Sequence, residues 1–495
     1  MNRRSFLHSA ATSGALLAGL EFSFLRFLPR VSAAEMKMGA SGVSFSADIE
    51  PLVRFLEVTP RDRVIEEIGL KVKKGLSYRE LLTALLLAGV RNIQPRPVGF
   101  KFHAVLVIHA AHLASLASPE TDRWLPIFWA IDQFTSSQAA DEKEGDWTMQ
   151  PIDESAIPPS HKARKALVDA LEKWDERAAD AAIVGMVRKL PAHEIYEVLA
   201  KYGSRDYREI GHKEIYVANS FRALEIIGWQ HAEPVLRSVV YAMLDRVGDK
   251  VNPSEADLPA DRPFRRNLEL VKEIQPGWLD GKPDSAATEE FIRTARTGSA
   301  IDTSKKLVEL LNKGVAPQSL FDGYMAFAAE LLMNAPGIIS IHATTFTNAT
   351  HYSWQHCRDE EVRKILMLQN AAFLPLFRGN RMTSKIEIEH LTPEEGAETP
   401  GEILELINKD KSEAARKLLG FLQHQAPQPF LHAARRLIFS KGNDAHDYKF
   451  SSAMMEDYVF MEKPWANRYM AASVFNLKGA GDKENQLANR IRNAL

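Results

Sequence analysis

An all-α fold is predicted for this chain on three observations. Apolar residues recur at helical spacing through most of the sequence, and alternating strand patterns are nearly absent. The composition, 45% hydrophobic and 25% charged, is that of an ordinary soluble globular protein. The helices predicted in order are 78–90, 102–116, 163–187, 212–227, 233–244, 304–311, 320–332, 342–357, 360–374, 400–408, 412–423 and 448–460. The first is short and apolar, ends near Gly89, and is followed by Pro95 and Pro97, which cannot continue it. The second is apolar nearly all round and reads as buried. The third is long and amphipathic. A break at Gly228 and Trp229 separates the fourth from the fifth. Two stretches depart from the pattern. Residues 248–299 are rich in Pro, Asp and Gly and carry only short helical pieces, and residues 381–399 are polar and contain Pro393-Glu394-Glu395-Gly396. Both are expected to be long surface loops of the kind that covers a site. No repeat of fixed period is present, which argues against a solenoid. No linker separates two cores, so residues 35–495 are expected to form a single large multi-helix domain.

The chain opens Met1-Asn2-Arg3-Arg4-Ser5-Phe6-Leu7. Paired arginines before an apolar stretch form the signal read by the twin-arginine translocase. The stretch, residues 10–28, is interrupted by Glu21 and Arg26, so it reads as a leader and not a membrane span. Val31-Ser32-Ala33 supplies a small-residue cleavage site, and cleavage is expected near Ala33-Ala34. Residues 1–34 are therefore expected to be a signal peptide, with the mature protein periplasmic or otherwise exported and without a stable membrane span. The route moves folded proteins, so a metal can be loaded before export. The net charge is −2, and removing the leader's four arginines and one glutamate takes the mature chain to about −5. No basic footprint for nucleic acid exists.

Several chemistries are missing. The single cysteine, Cys357, excludes an intrachain disulfide, a Cys-rich zinc site and a Cys-ligated iron–sulfur cluster. There is no Gly-x-Gly-x-x-Gly after a strand, no P-loop, no Gly-x-Ser-x-Gly and no Cys-x-x-Cys-His. Any metal must be held by nitrogen and oxygen.

Fifteen histidines remain, and they are unevenly placed. His103, His109 and His112 lie in one apolar segment, with His109 and His112 on one helix face and His103 on the other. His212 opens a helix, and His231 follows Trp229-Gln230. His342, His351 and His356 share a third segment, and His446 sits at i−3 to Lys449. A lone histidine on an apolar helix reads as a satisfied core residue. Several on facing helices can build a metal site inside a bundle. A paired Glu-x-x-His pattern is lacking, so a mononuclear, histidine-rich site fits better than a di-iron one. Two other readings stay open: a non-catalytic helical envelope protein that binds a ligand or partner and whose histidines are structural, and a histidine-ligated haem or copper protein.

The residues also carry a family resemblance. Asp444-Ala445-His446-Asp447-Tyr448-Lys449, with Ala453 and Tyr458 following, resembles the Asp-x-His-x-x-Lys…Ala…Tyr segment near the end of questin oxidase-like proteins. Ile341-His342-Ala343-Thr344-Thr345, with Asn348-Ala349, is similar to their His-x-Val-Thr…Ala-Leu segment. Gly211-His212, with Ile215-Tyr216, resembles their Phe-His-x-x-Ile segment, and Phe102-His103-Ala104 their N-terminal histidine before an Ala-Leu-rich helix. The pieces occur in the family's order. The resemblance implies an all-helical oxygenase whose members oxidise and cleave polycyclic aromatic ketones such as anthraquinones, in Baeyer–Villiger-like or dioxygenase reactions. It implies a small aromatic or quinone-like substrate, O2 and a mononuclear non-haem iron (Fe2+) held by four histidines and a carboxylated lysine. On the matching positions these are His103, His212, His342 and His446, with Lys449 as the carbamate and His231 as the alternative to His446. Tyr216 and Asn219, one and two turns after His212, are candidate catalytic or substrate contacts, and Asp444 is placed to orient His446. The chemistry is consistent. A lysine ammonium cannot bind a cation, but burial lowers its pKa, and the neutral amine can add CO2 to give an anionic oxygen ligand.

Overall fold

The computed structural model describes residues 38–39, 42–382 and 386–495. The stretch expected to be a twin-arginine leader with its cleavage site lies outside the described residues. Among the described residues the architecture is all-α, with twenty-three α-helices linked by short 3-10 turns. The extended backbone pairing consists of an antiparallel pair, Met38–Gly39 with Gly42–Val43, and one isolated bridge between Lys282 and Val315. No helix among the described residues is long and apolar enough to cross a membrane.

Local chemistry sets the helix boundaries. The Tyr78–Asn92 helix starts at Ser77, whose hydroxyl accepts from Glu80 N while the Glu80 carboxylate accepts from Ser77 N. Asp444 and Asp447 make the same reciprocal cap on the Ala445–Phe460 helix. The segment expected as one helix over 163–187 is two, Ser160–Lys173 and Glu176–Val187. Trp174 adopts a left-handed conformation (φ 57°) and Asp175 caps the second helix through Ala178 N, so the chain turns where periodicity alone ran on. The segment 102–116 breaks at Val107 into His103–Leu106 and Ile108–Leu116.

The two predicted excursions are only partly loops. Residues 248–299 hold the helices Arg262–Leu270 and Ser285–Thr297, the second capped by Asp284. Their polar surface, with Phe264, Leu270, Phe291 and Ile292 as the buried anchors, hid the helical period. Among the described residues of the 381–399 stretch there is one 3-10 turn, Ile388–His390, and the segment around it is tied down. Asn334 pairs with the Ile386 backbone, and Arg296 bridges Glu330 and Glu389.

One contiguous apolar core runs from Val43 to Ile491. Near its centre lies the Ile338–His356 helix, buried continuously from Ser340 to Ser353. It packs against His212–Ile227, Pro317–Asn334, Glu360–Arg378 and Ala445–Phe460. Its buried residues are unusually polar for a core helix: His342, Thr344, Thr345, Thr347, Asn348, Thr350, His351 and Ser353. Some are satisfied locally, as Thr350 is by the Phe346 carbonyl, and some by neighbouring helices, as Thr347 is by Asn370. Thr344 and Thr345 keep unpartnered hydroxyls. A central helix lined with polar groups is costly unless those groups serve a site.

Candidate metal centre

Four segments bring four histidines together. His103 opens the short helix after the Phe100–Phe102 turn, and His212 opens His212–Ile227. His342 lies in the second turn of Ile338–His356, and His446 in the first turn of Ala445–Phe460. The Nε2 atoms of His103 and His342 stand 2.8 and 2.9 Å from the Nε2 of His212. These three histidines offer ligand atoms within 4.8 Å of one another. The His446 ring adds a fourth side, with its centroid 4.5 Å from that of His103 and 5.2 Å from that of His342.

The other ring nitrogens fix the tautomers. His212 Nδ1 donates to the Glu209 carbonyl (2.5 Å) and His342 Nδ1 to the Ile338 carbonyl (2.7 Å). A carbonyl only accepts, so both Nδ1 atoms carry hydrogen and both Nε2 atoms present lone pairs. Those lone pairs face each other at 2.9 Å, an arrangement that needs a proton or a cation between them. Protonation is opposed, because burial, followed by the Lys449 ammonium for His103 and His212 and by His212 and then Lys449 for His342, holds these imidazoles well below their ordinary range. His446 Nδ1 donates to Asp444 at 2.6 Å, and that bond holds the Asp444 carboxyl down to about 2. The His446 Nε2 is buried with no partner. Lys449 is 4% exposed, its Nζ has no partner, and burial pushes its amine down to about 7. Three imidazoles with converging Nε2 atoms, with the His446 ring beside them and an unpartnered amine at Lys449, fit a transition metal with nitrogen and oxygen ligands. Each ordered Nδ1–H contact is the outer support such a ligand requires.

The remaining sequence candidates divide. His231 lies apart: it ends the Trp229–His231 turn, its charged neighbours are Asp48 and Arg79, and burial pushes it down to about 4. The break at Gly228 (φ 107°) redirects the chain, so His446 and not His231 is the fourth histidine of the cluster. Tyr216 is fully buried, but its hydroxyl donates to Ser238 (2.8 Å) and its ring stacks edge-on against Phe102. It is placed to support the His103 segment and does not face the open space of the site. Asn219 does face it, donating to the Leu106 carbonyl and accepting from Arg222.

That space is a narrow chamber beside Lys449, walled by the helices that carry His109, Asn219 and Arg222, Thr345 and Asn348, and Lys449 and Glu456. Its cavity is about 20 Å³, room for one water-sized molecule. Arg222 and Glu456 did not stand out in the sequence as site residues, whereas His109 and Asn348 were noted there without a role in a chamber. The available signal was positional: Glu456 is two turns beyond Lys449 on one helix face.

A second missed feature holds His212. Glu209 (φ 54°), Ile210 (φ 46°) and Gly211 (φ 86°) form three successive left-handed residues. The two non-glycine residues each cost about 1–2 kcal/mol there. Gly211 is required, since a Cβ would sit 2.6 Å from the Phe346 ring. The turn aims the Glu209 carbonyl at His212, and a buried charge network clamps it. Lys213 Nζ donates to both Asp206 oxygens and to the Asp245 carbonyl, while Arg208 pairs with Asp261 at 2.7 and 2.8 Å and with Asp249. Lys213→Met is expected to destabilise the protein by about 3–5 kcal/mol, because Asp206 loses its closest cation inside the fold. It should also weaken metal binding about 10–100-fold by releasing the Glu209 carbonyl. Urea unfolding and metal titration of Lys213→Met and of Lys213→Met with Asp206→Asn check this; the double variant should recover much of the stability.

The chain matches no family model, no curated protein and no solved structure. The site therefore rests on its own geometry.

One group near the chamber sets a pH dependence. Asp457 is buried, accepts from Asn348 Nδ2 (2.8 Å) and the Tyr469 hydroxyl (2.9 Å), and is pushed by burial up to about 8, with Glu456 raising and Arg222 lowering it. An unfolded aspartate titrates near 3.9. Between about pH 4 and 8 the folded chain keeps a proton that the unfolded chain has lost, so this contribution falls as pH rises. Asp457→Asn retains the shape without the proton. Its stability relative to the natural chain should rise from about pH 5 to about pH 8, on the order of a few kcal/mol, in urea unfolding at the two pH values.

Proposed function

We propose that this protein is a mononuclear metal-dependent oxygenase of the questin oxidase-like kind, acting on a small aromatic or quinone-like molecule. The observation that carries this reading is the set of inward, unsatisfied nitrogens: the facing Nε2 atoms of His212 and His342, the orphaned Nε2 of His446 and the orphaned Nζ of Lys449. One orphaned ring nitrogen can arise from packing alone, as at His231, but two imidazole lone pairs facing each other at 2.9 Å repel unless a cation joins them. His103, His212, His342 and His446 would hold iron, and it would supply the one-electron chemistry that lets dioxygen react with an organic substrate.

Lys449 contributes as an anion. Its neutral amine adds CO2 to form a carbamate, with one proton released. The His212, Ile338 and Ala445 helices all begin beside the cluster, and their positive ends favour a negative group there and disfavour a lysine ammonium. Asp444 keeps His446 in the tautomer with Nε2 free, and Glu209 and Ile338 do the same for His212 and His342. His212, His342 and Lys449 are buried, while His103 and His446 are partly exposed. An exported location follows from the residue 1–34 leader and accords with a metal acquired before export.

Metal analysis after overexpression tests the reading. Iron near one per chain, with no Soret band and with oxygen uptake on addition of a hydroxylated anthraquinone, is expected. Metal-free protein of normal stability would leave a non-catalytic binding protein in its place, and a Soret band or stoichiometric copper would point to haem or copper.

A further inference from the structure

Beyond the metal centre, the chamber contains an anion cradle that is already filled by the protein's own carboxylate. Arg222 Nη2 donates to Glu456 Oε2 at 2.6 Å, and Asn348 Nδ2 donates to the same oxygen at 2.9 Å. Arg222 is itself buried and fixed. It donates to the side-chain oxygens of Asn219 (3.2 Å) and Asn348 (3.1 Å), and its guanidinium lies 4.2 Å over the Tyr352 ring. These contacts place a planar, permanently charged donor in a rigid frame, the arrangement that reads a carboxylate or an ionised phenol. Glu456 differs from the rest of the cradle. Its side chain is 31% exposed, and it stands at the solvent end of a chamber whose inner end is Lys449. Seven residues separate the two on one helix, about 10 Å of rise. His109, kept neutral by burial and by Arg222, faces the space between them without a charge of its own.

With Glu456 in place the cavity is about 20 Å³, whereas pockets that bind drug-sized molecules start on the order of 300 Å³. A ring-containing substrate therefore needs the Glu456 side chain to leave, and its exposure lets it rotate to solvent. The donors it vacates would otherwise be buried and unpaired. We propose that the substrate carries an acidic oxygen, a carboxylate or an ionised phenol or enol, that displaces the Glu456 carboxylate from Arg222 and Asn348 and so docks the ring against Lys449. Glu456 is a tethered competitor that closes the chamber to neutral molecules. This inference rests on the oxygenase reading for its chemistry but not for its binding test.

Calorimetry on the full chain decides it, with benzoate and 4-nitrophenolate as probes and benzamide as the uncharged isostere of benzoate. Glu456→Gln, which removes the competing charge at a half-exposed position, should bind the acidic probe about tenfold more tightly than the natural chain. Arg222→Met should lose that binding at least tenfold. Benzamide should change in neither. Benzoate tightening alone assigns a carboxylate, and 4-nitrophenolate tightening alone an ionised phenol. Equal binding of both anions to the natural chain and Glu456→Gln, or benzamide following benzoate, overturns the proposal. Glu456→Gln is sufficient should Arg222→Met not fold. Iron content in the same preparations separates the two readings. Iron-loaded protein with no Glu456 effect sinks the anion cradle alone, and metal-free protein with the tenfold shift sinks the oxygenase alone.

Discussion

Replacing His342 by alanine is expected to lower bound iron from near one to less than about a tenth per chain while the fold survives. The side chain is fully buried, its Nε2 faces His212 at 2.9 Å, and its Nδ1 is already committed to Ile338. Its loss removes one ligand and leaves a small void whose cost is about 2–3 kcal/mol, within the reserve of a protein this size. Loss of an outer support alone costs 10–100-fold in metal affinity; loss of a direct ligand should exceed that. His231→Ala is the matched control. That residue is also a buried histidine with an unpartnered Nε2, but it lies away from the cluster. Metal content and circular dichroism on both variants check the prediction. Unchanged iron in His342→Ala would remove the cluster as the metal centre.

That control matters because the sequence alone did not separate His231 from His446. Both follow a helix break and sit near an acidic residue. Chain direction after Gly228 decides between them, and a glycine's φ is not written in its neighbours. Other parts were legible. The His212–Ile227 helix is where the apolar period placed it. The opposition of His103 to His109 and His112 also held. His103 joins the cluster, His109 the chamber wall, and His112 bonds to Tyr78. What stayed hidden was non-local or strained. Arg222 and Glu456 are 234 residues apart, and nothing in local pattern pairs them. Glu209 and Ile210 carry no composition signal for a left-handed turn, since the network around Asp206, Arg208 and Lys213 imposes it. The helices in residues 248–299 were masked because a surface helix with few apolar anchors resembles a loop.

Lys449→Met should separate function from stability with opposite signs. The natural side chain is buried, its amine has no hydrogen-bond partner, and its charge acts on the imidazoles of His103, His212 and His342. An unpaired buried amine is a liability to the fold, and methionine fills the same volume without it. The metal-free variant is therefore expected to be at least as stable as the natural chain in urea. Its oxygen uptake should nevertheless fall at least 100-fold, because the anionic oxygen ligand has gone and only neutral imidazoles remain. Lys449→Glu restores a carboxylate on a shorter stem and should recover part of the iron content. Bicarbonate supplies an independent readout. The natural chain, purified free of CO2, should gain metal affinity when bicarbonate is returned, and protein labelled with carbon-13 bicarbonate should show one carbamate carbon that Lys449→Met lacks. A lysine that served only packing would show none of this: its loss would leave oxygen uptake and bicarbonate response unmoved. The pairing of a gain in stability with a loss of chemistry is what a site residue predicts, since the partner that would satisfy the amine is the one it must keep free to meet.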